Sequence, residues 1–180
     1  MLTTREKLEK NSPELAKALN LSNKMALPKL EKIMVSTGVG KVKDKKRLEL
    51  IANRLGQITG QKAASRGAKK SIASFKSREG DVVGYVVTLR GKRMWGFFDK
   101  LLNIAIPRIR DFRGFDEKIV DERGGLTLGL REHTIFPETA DEELKDVFGL
   151  AITLVSTATS REQALVFFRT LGFPFKKGNK

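Results

Sequence analysis

Residues 81–91, "DVVGYVVTLRG", decide the fold class. Val83, Tyr85, Val87 and Leu89 fall on one side of an extended chain, and Val82, Val86, Thr88 and Arg90 on the other, the period of two that marks a strand. Ser77-Arg78-Glu79-Gly80, just upstream, has the composition of a tight turn. Turn and strand together predict a hairpin, and a hairpin predicts antiparallel pairing.

Working outward, "KRMWGFFDKLLNIAI" (92–106) changes the period to that of a helix. Met94, Trp95, Phe98, Leu101 and Leu102 share one face, an aromatic stripe that reads as core, and Pro107 is the expected stop. "LEKIMVSTGVG" (30–40) reads as a strand ending at Gly38 and Gly40. Asp44 is the expected N-cap of a helix carrying Leu48, Ile51, Ala52, Leu55 and Ile58, with Gly60 as its stop. Thr3 and Glu6 suit a capping box on a first helix, and Ser12-Pro13 is expected to break or restart it. Leu126, Leu128 and Leu130 alternate as a strand, and "FGLAITLVSTA" (148–158) reads as a strand buried on both faces. Ser160 with Gln163 opens a last helix, stopped by Gly172 and Pro174. Strands and helices mix without a βα repeat. The expected architecture is α+β: a single domain over residues 1–180, mainly an antiparallel sheet with helices packed on one face. The other sheet face would be free to bind.

The 180 residues carry 35 Lys and Arg against 21 Asp and Glu, a formal net charge of +14. A domain this basic implies a polyanionic partner. The charge is also polarised. Residues 111–146 hold eleven acidic and five basic side chains, so the remainder carries +20. A basic face around 30–90 and an acidic protein-contact region around 111–146 follow.

Several chemistries drop out. Without cysteine there is no disulfide and no thiolate metal site, and one histidine, His133, makes no metal cluster. "STGVGKVKD" (36–44) is not a phosphate loop, because Val35 and Val42 stand where Gly and Ser or Thr are required. Lys43 likewise replaces the last glycine of a dinucleotide fingerprint. Pairs such as Asp116-Glu117 and Glu142-Glu143 read as surface charge, and no nucleophile has a partner base. The reading is no enzyme, no cofactor and no small-molecule substrate. No apolar stretch is long enough to span a bilayer and no signal peptide is apparent, so a cytoplasmic protein with no membrane role is expected.

The basic segment "GQKAASRGAKKSIASFKSREG" (60–80) has six Lys or Arg and one Glu. Extended, "KKSIASFK" would put Lys70, Ile72, Ser74 and Lys76 on one side and Ser71, Ala73 and Phe75 on the other. Small residues admit a bulky partner, cations neutralise phosphate, hydroxyls reach riboses, and one aromatic stacks on a base. No helix carries the reading residues, so a shaped RNA fits better than a DNA groove.

Four blocks carry a resemblance: "LGQITGQKAASRGAKKSIASFK" (55–76), "GYVVTLRGKRMWGFFDKLLNIAIPRIRDFRGF" (84–115), "LGLREHTIFPE" (128–138) and "LGFPF" (171–175). The chain resembles the bacterial L-five family of large-subunit ribosomal proteins over nearly its full length. That resemblance implies a structural protein of the ribosome that binds 5S ribosomal RNA and helps attach it in the central protuberance. It also implies contact with 23S ribosomal RNA, peptidyl-site transfer RNA, other 5S-associated large-subunit proteins and the small-subunit protein S-thirteen. The implied 5S surface is Ser36, Thr37, Gln61, Lys62, Ser65, Arg66, Lys69, Lys70, Ser71, Phe75, Thr88 and Arg90. The implied transfer-RNA loop is Lys76, Ser77, Arg78, Glu79 and Gly80. The implied intersubunit contact includes Arg110, Asp111, Arg113, Asp141, Glu142 and Glu143. The family usually has Asn where Ser36 stands, so that hydrogen bond has a shorter reach here. The alternative reading is a free-standing regulatory RNA- or DNA-binding protein, which would have no need of "IPRIRDFRGF" or the acidic region.

Overall fold

A computed structural model describes residues 3–42, 44–75, 77–139 and 146–176, with Phe75 described by its backbone alone. Among them, four α-helices and five strands run in the order α1 (Thr4–Ala18), β1 (Leu30–Gly38), α2 (Lys45–Thr59), β2 (Ala64–Gly67), β3 (Val82–Leu89), α3 (Gly91–Lys100), β4 (Gly125–Leu130), β5 (Leu150–Ser156) and α4 (Arg161–Thr170). The strands form one sheet in the order β2-β3-β1-β5-β4. The fold is α+β with a mainly antiparallel sheet.

Burial alternates along the strands. Ile33 and Val35 of β1, Val87 and Leu89 of β3, and Leu150, Ile152 and Leu154 of β5 are buried. Their neighbours Met34, Ser36, Thr88, Ala151, Thr153 and Val155 are half-buried. The expectation that β5 is buried on both faces is therefore corrected. Its continuous apolar run reflects Ala and Val on a partly open face, where modest apolar surface costs little.

The contacts group into two compact units. The first comprises Met1–Ile33, Arg90–Leu128 and Thr153–Lys180. Here α1 packs against α3 and α4. Its capping box forms as expected, with Thr3 Oγ1 accepting from Glu6 N and Glu6 Oε2 accepting from Thr3 N. Pro13 does not break α1, which runs through it. Proline removes the donor for the carbonyl of residue 9, and the Ser12 hydroxyl supplies a replacement, 2.9 Å from Glu9 O.

After α3 the chain widens into a π turn over Leu101–Ala105 and tightens into a 3-10 turn over Ile106–Arg108 that contains Pro107. The helical path expected to residue 106 is thus continuous, but it changes type after Lys100 and runs on to Arg108, with Pro107 inside its last turn. Met94, Phe98 and Leu101 are buried as expected, but Phe97 joins them, while Trp95 sits half-buried, edge-on to Phe98. The "FRGF" and "LGFPF" blocks pair with each other: Phe115 N donates to Pro174 O at 2.9 Å and Lys176 N to Phe115 O at 2.8 Å. The Phe115 ring stacks on Phe173, their centroids 5.4 Å apart.

The second unit comprises Met34–Leu89 and Gly129–Ile152. There α2 packs on β3 and on the short turn Pro137–Thr139. Asp44 caps its start through Lys46 N, and Gly60, at φ +67°, ends it. His133 is fully buried, its ring stacked 4.0 Å from that of Phe148 and its Nδ1 accepting from Phe148 N at 3.3 Å. Its role is to tie two chain segments together.

Candidate nucleic-acid interface

The second unit gathers most of the sequence-predicted RNA residues, and the β2–β3 hairpin positions them. Ala64 pairs with Val86, Ser65 with Tyr85 and Arg66 with Gly84 in antiparallel register, and a bulge separates Arg66 from Gly67. Side chains on β2 are exposed throughout. Directly opposed residues share a sheet face. Arg66 and Ala64 therefore lie on the face of Gly84, Val86 and Thr88, where Gly84 and Thr88 are half-buried and Val86, opposite Ala64, is buried. Gly84 lets β3 approach β1 closely, since a Cβ there would lie 3.0 Å from Thr37 O.

Beyond the bulge the chain does not continue as the extended strand expected for 70–76. Ala68 N donates to Asp81 O and Gly80 N to Ala68 O, which closes the hairpin stem. Inside it, Ile72 and Ser77 form a small bridge, and Ala73–Phe75 makes a 3-10 turn at the tip. Two side chains staple this loop: Ser71 Oγ accepts from Glu79 N at 2.9 Å, and Asp81 Oδ2 accepts from Arg78 N at 2.7 Å. The 3-10 tip at 73–75 is enclosed by the bridge between Ile72 and Ser77. The turn expected just upstream of β3 forms separately over residues 78–81, where Asp81 N donates to Arg78 O at 3.1 Å and Gly80 takes φ +89°. Ser and Asp satisfy loop amides locally, which outcompetes a ladder that has no third strand beside it.

Lys62, Ser65, Arg66, Lys69, Lys70, Ser71 and Arg78 are all exposed. Ser36 and Thr88 are half-buried on the face that alternates with the core. Thr37 is different: it is 5% exposed, and its hydroxyl donates to Gly149 O at 2.8 Å. Adjacent residues of a strand cannot both face the same partner, so the side chain of Thr37 is withdrawn from the surface that presents Ser36. Gln61 Nε2 donates to Thr88 O at 3.3 Å and so helps hold the end of α2 to β3.

Arg90 belongs to the first unit, where it pairs with Glu31 at 3.3 Å. Arg110, Asp111 and Arg113 are in that unit too, exposed on a turn in which Asp111 has φ +52°. The side chain of Phe75, and Lys76, Asp141, Glu142 and Glu143, lie outside the described residues. The acidic region 111–146 is not one structural piece, since residues 111–128 belong to the first unit and its other described residues, 129–139 and 146, to the second. Part of its charge is neutralised internally: Glu117 accepts from Arg169 through its carboxylate and from Arg161 through its carbonyl.

Residues absent from the expected site stand nearby in sequence and space. Lys41, Lys45 and Lys46, where the chain enters α2, are exposed. A cleft of about 820 Å³ is lined on one side by Gly40, Val42, Lys45 and Leu48 and on the other by residues of the 71–83 segment. The run "KVKDKKR" (41–47) signals charge in the sequence, but only the folded hairpin places Lys45 across the cleft from Arg78.

No described helix is long and apolar enough to cross a membrane, and no described group of side chains makes a metal cluster. Similarity to known proteins covers both units. Residues 23–78 match the family "Ribosomal protein L5", and residues 82–175 match the model of the C-terminus of that ribosomal family. The large ribosomal subunit protein uL5 of Solibacter usitatus is 45% identical over 169 residues, 93% of this chain and 94% of that protein. The uL5 protein of Anaeromyxobacter sp. is 45% identical over 175 residues, 96% of this chain and 97% of its own length. That of Parasynechococcus marenigrum is 47% identical over 165 residues, 91% and 92% of the two chains. Identity this high along almost the whole length of both partners, with each half matched in its proper order, means that the chain belongs to the L5 family of large-subunit ribosomal proteins.

Proposed function

We propose that this ribosomal protein binds 5S ribosomal RNA through its second unit and helps attach it to the large subunit. The observation that carries the reading is the exposed cation row Lys62, Arg66, Lys69 and Lys70, set on a hairpin beside the half-open face that bears Ser36 and Thr88. The cations neutralise phosphates and position the RNA, while the small hydroxyl and glycine surface admits the backbone of a folded RNA. Its family places it in the ribosome as a constituent, not an enzyme. The segment Lys76 to Gly80 is assigned to transfer RNA, and Arg110, Asp111, Arg113, Asp141, Glu142 and Glu143 to the intersubunit protein S-thirteen, with 23S ribosomal RNA and other 5S-associated proteins as neighbours in the cytoplasmic ribosome. Full-length similarity favours this over a free-standing regulator.

The test is a titration of 5S ribosomal RNA at several salt concentrations, with transfer RNA and random duplex as competitors. Tight binding that survives competition is expected. Binding shared equally by all RNAs and lost at moderate salt would leave only the net charge explained.

A further inference from the structure

The cleft between the entry to α2 and the hairpin loop has a floor that the cation row does not use. Val42, Leu48, Val82 and Val83 all line it and all remain half-buried. Val82 and Val83 are neighbours in β3, and both reach the cleft at the bulge, where Gly67 pairs with Val82 and Arg66 with Gly84 and Val83 is the extra residue. Aliphatic residues left partly in water on a strongly charged surface mark a place where a flat apolar object packs. The rim is polar. Lys45 and Arg78 stand on it from the two sides, with the Ser77 hydroxyl and the Asp81 carboxylate. Asp81 Oδ2 accepts from Arg78 N, and the carboxylate, which lines the cleft, keeps further acceptor capacity on Oδ1.

Charge complementarity selects the occupant. Residues 34–89 hold twelve Lys and Arg against four Asp and Glu, so an acid at the rim of a cleft in this surface is not there for phosphate. A carboxylate among phosphate-binding cations suits the donor edge of a base. Guanine presents two adjacent ring-edge donors, N1–H and N2–H, where adenine and cytosine present an exocyclic amino group alone. A cleft of about 820 Å³ has room for a whole nucleotide.

We propose that this cleft takes one unstacked nucleotide of RNA, with guanine preferred. Its base lies on the floor made by Val42, Leu48, Val82 and Val83, its donor edge meets Asp81, and its phosphate meets Lys45 and Arg78. The proposal rests on the RNA-binding reading and adds to it a base-reading pocket apart from the sheet face.

The test uses the full chain with methyl-labelled Val and Leu and uridine-flanked trinucleotides carrying G, A, C or U at the centre. Methyl shifts at Val42, Leu48, Val82 and Val83 are expected with the G-centred trinucleotide at the lowest concentration. Asp81→Asn keeps an acceptor for Arg78 N, and it is expected to erase about tenfold of the preference for G over A. Leu48→Ala is expected to weaken all four trinucleotides alike. Methyls that stay still up to millimolar trinucleotide overturn the proposal. If 5S ribosomal RNA still binds that sample, the sheet-face reading stands and the cleft is left to a protein segment. If the methyls respond while 5S ribosomal RNA does not bind, the pocket stands and the 5S reading falls.

Discussion

Two residues show how closely backbone and side chain are matched. Gly114 sits at φ +92°, and a Cβ there would lie 2.8 Å from Lys176 N. Both the conformation and the space demand glycine. Gly114→Ala is expected to lower stability by about 2–3 kcal/mol, read by chemical denaturation at unchanged m-value. Thr37 is the second. It stands next in sequence to Ser36, a proposed RNA contact, yet its hydroxyl holds the Gly149 carbonyl. Thr37→Val is expected to cost about 1 kcal/mol of stability and to leave RNA affinity unchanged within about twofold. A loss of affinity without a loss of stability would return Thr37 to the interface.

At the level of elements, capping chemistry is the most legible part of the sequence. Asp44, Gly60, the Thr3 and Glu6 box and Ser160 with Gln163 all act as their residue types dictate, because each satisfies its amides within a few residues. Asp44→Ala is expected to remove the acceptor 3.0 Å from Lys46 N and to cost about 1 kcal/mol, measured by thermal melting. Pro13 and the 70–76 segment are less legible. In both, a side chain takes over a hydrogen bond that propensity assigns to the backbone: Ser12 at Glu9 O, and Ser71 and Asp81 in the loop. The β5 strand departs from its sequence pattern for another reason. Apolarity reports what a residue tolerates, and the number of covered sheet faces depends on where the helices land.

For the molecule as a whole, charge sets how binding responds to salt. Lys69→Ala with Lys70→Ala is expected to weaken 5S ribosomal RNA binding and to reduce the magnitude of the slope of log affinity against log salt by about 1.4 to 1.8, if each lysine neutralises one phosphate. An unchanged slope would move the phosphate contacts elsewhere, with Lys41, Lys45 and Lys46 the next to test. The sequence by itself determined the α+β class, four of the five strands, the caps, the basic partner surface and the family, because local periodicity, turn chemistry and net charge are all properties of residues close together in the chain. The exposed strand Ala64–Gly67, which has no apolar alternation, was not among them. Only the tertiary structure decided which half of a strand pair is open, that Thr37 faces inward and Ser36 outward, that the acidic region divides between two units, and that α2 and the hairpin enclose a cleft. Those outcomes depend on side chains far apart in the chain competing for the same space and the same hydrogen bonds, and no window of sequence contains both competitors.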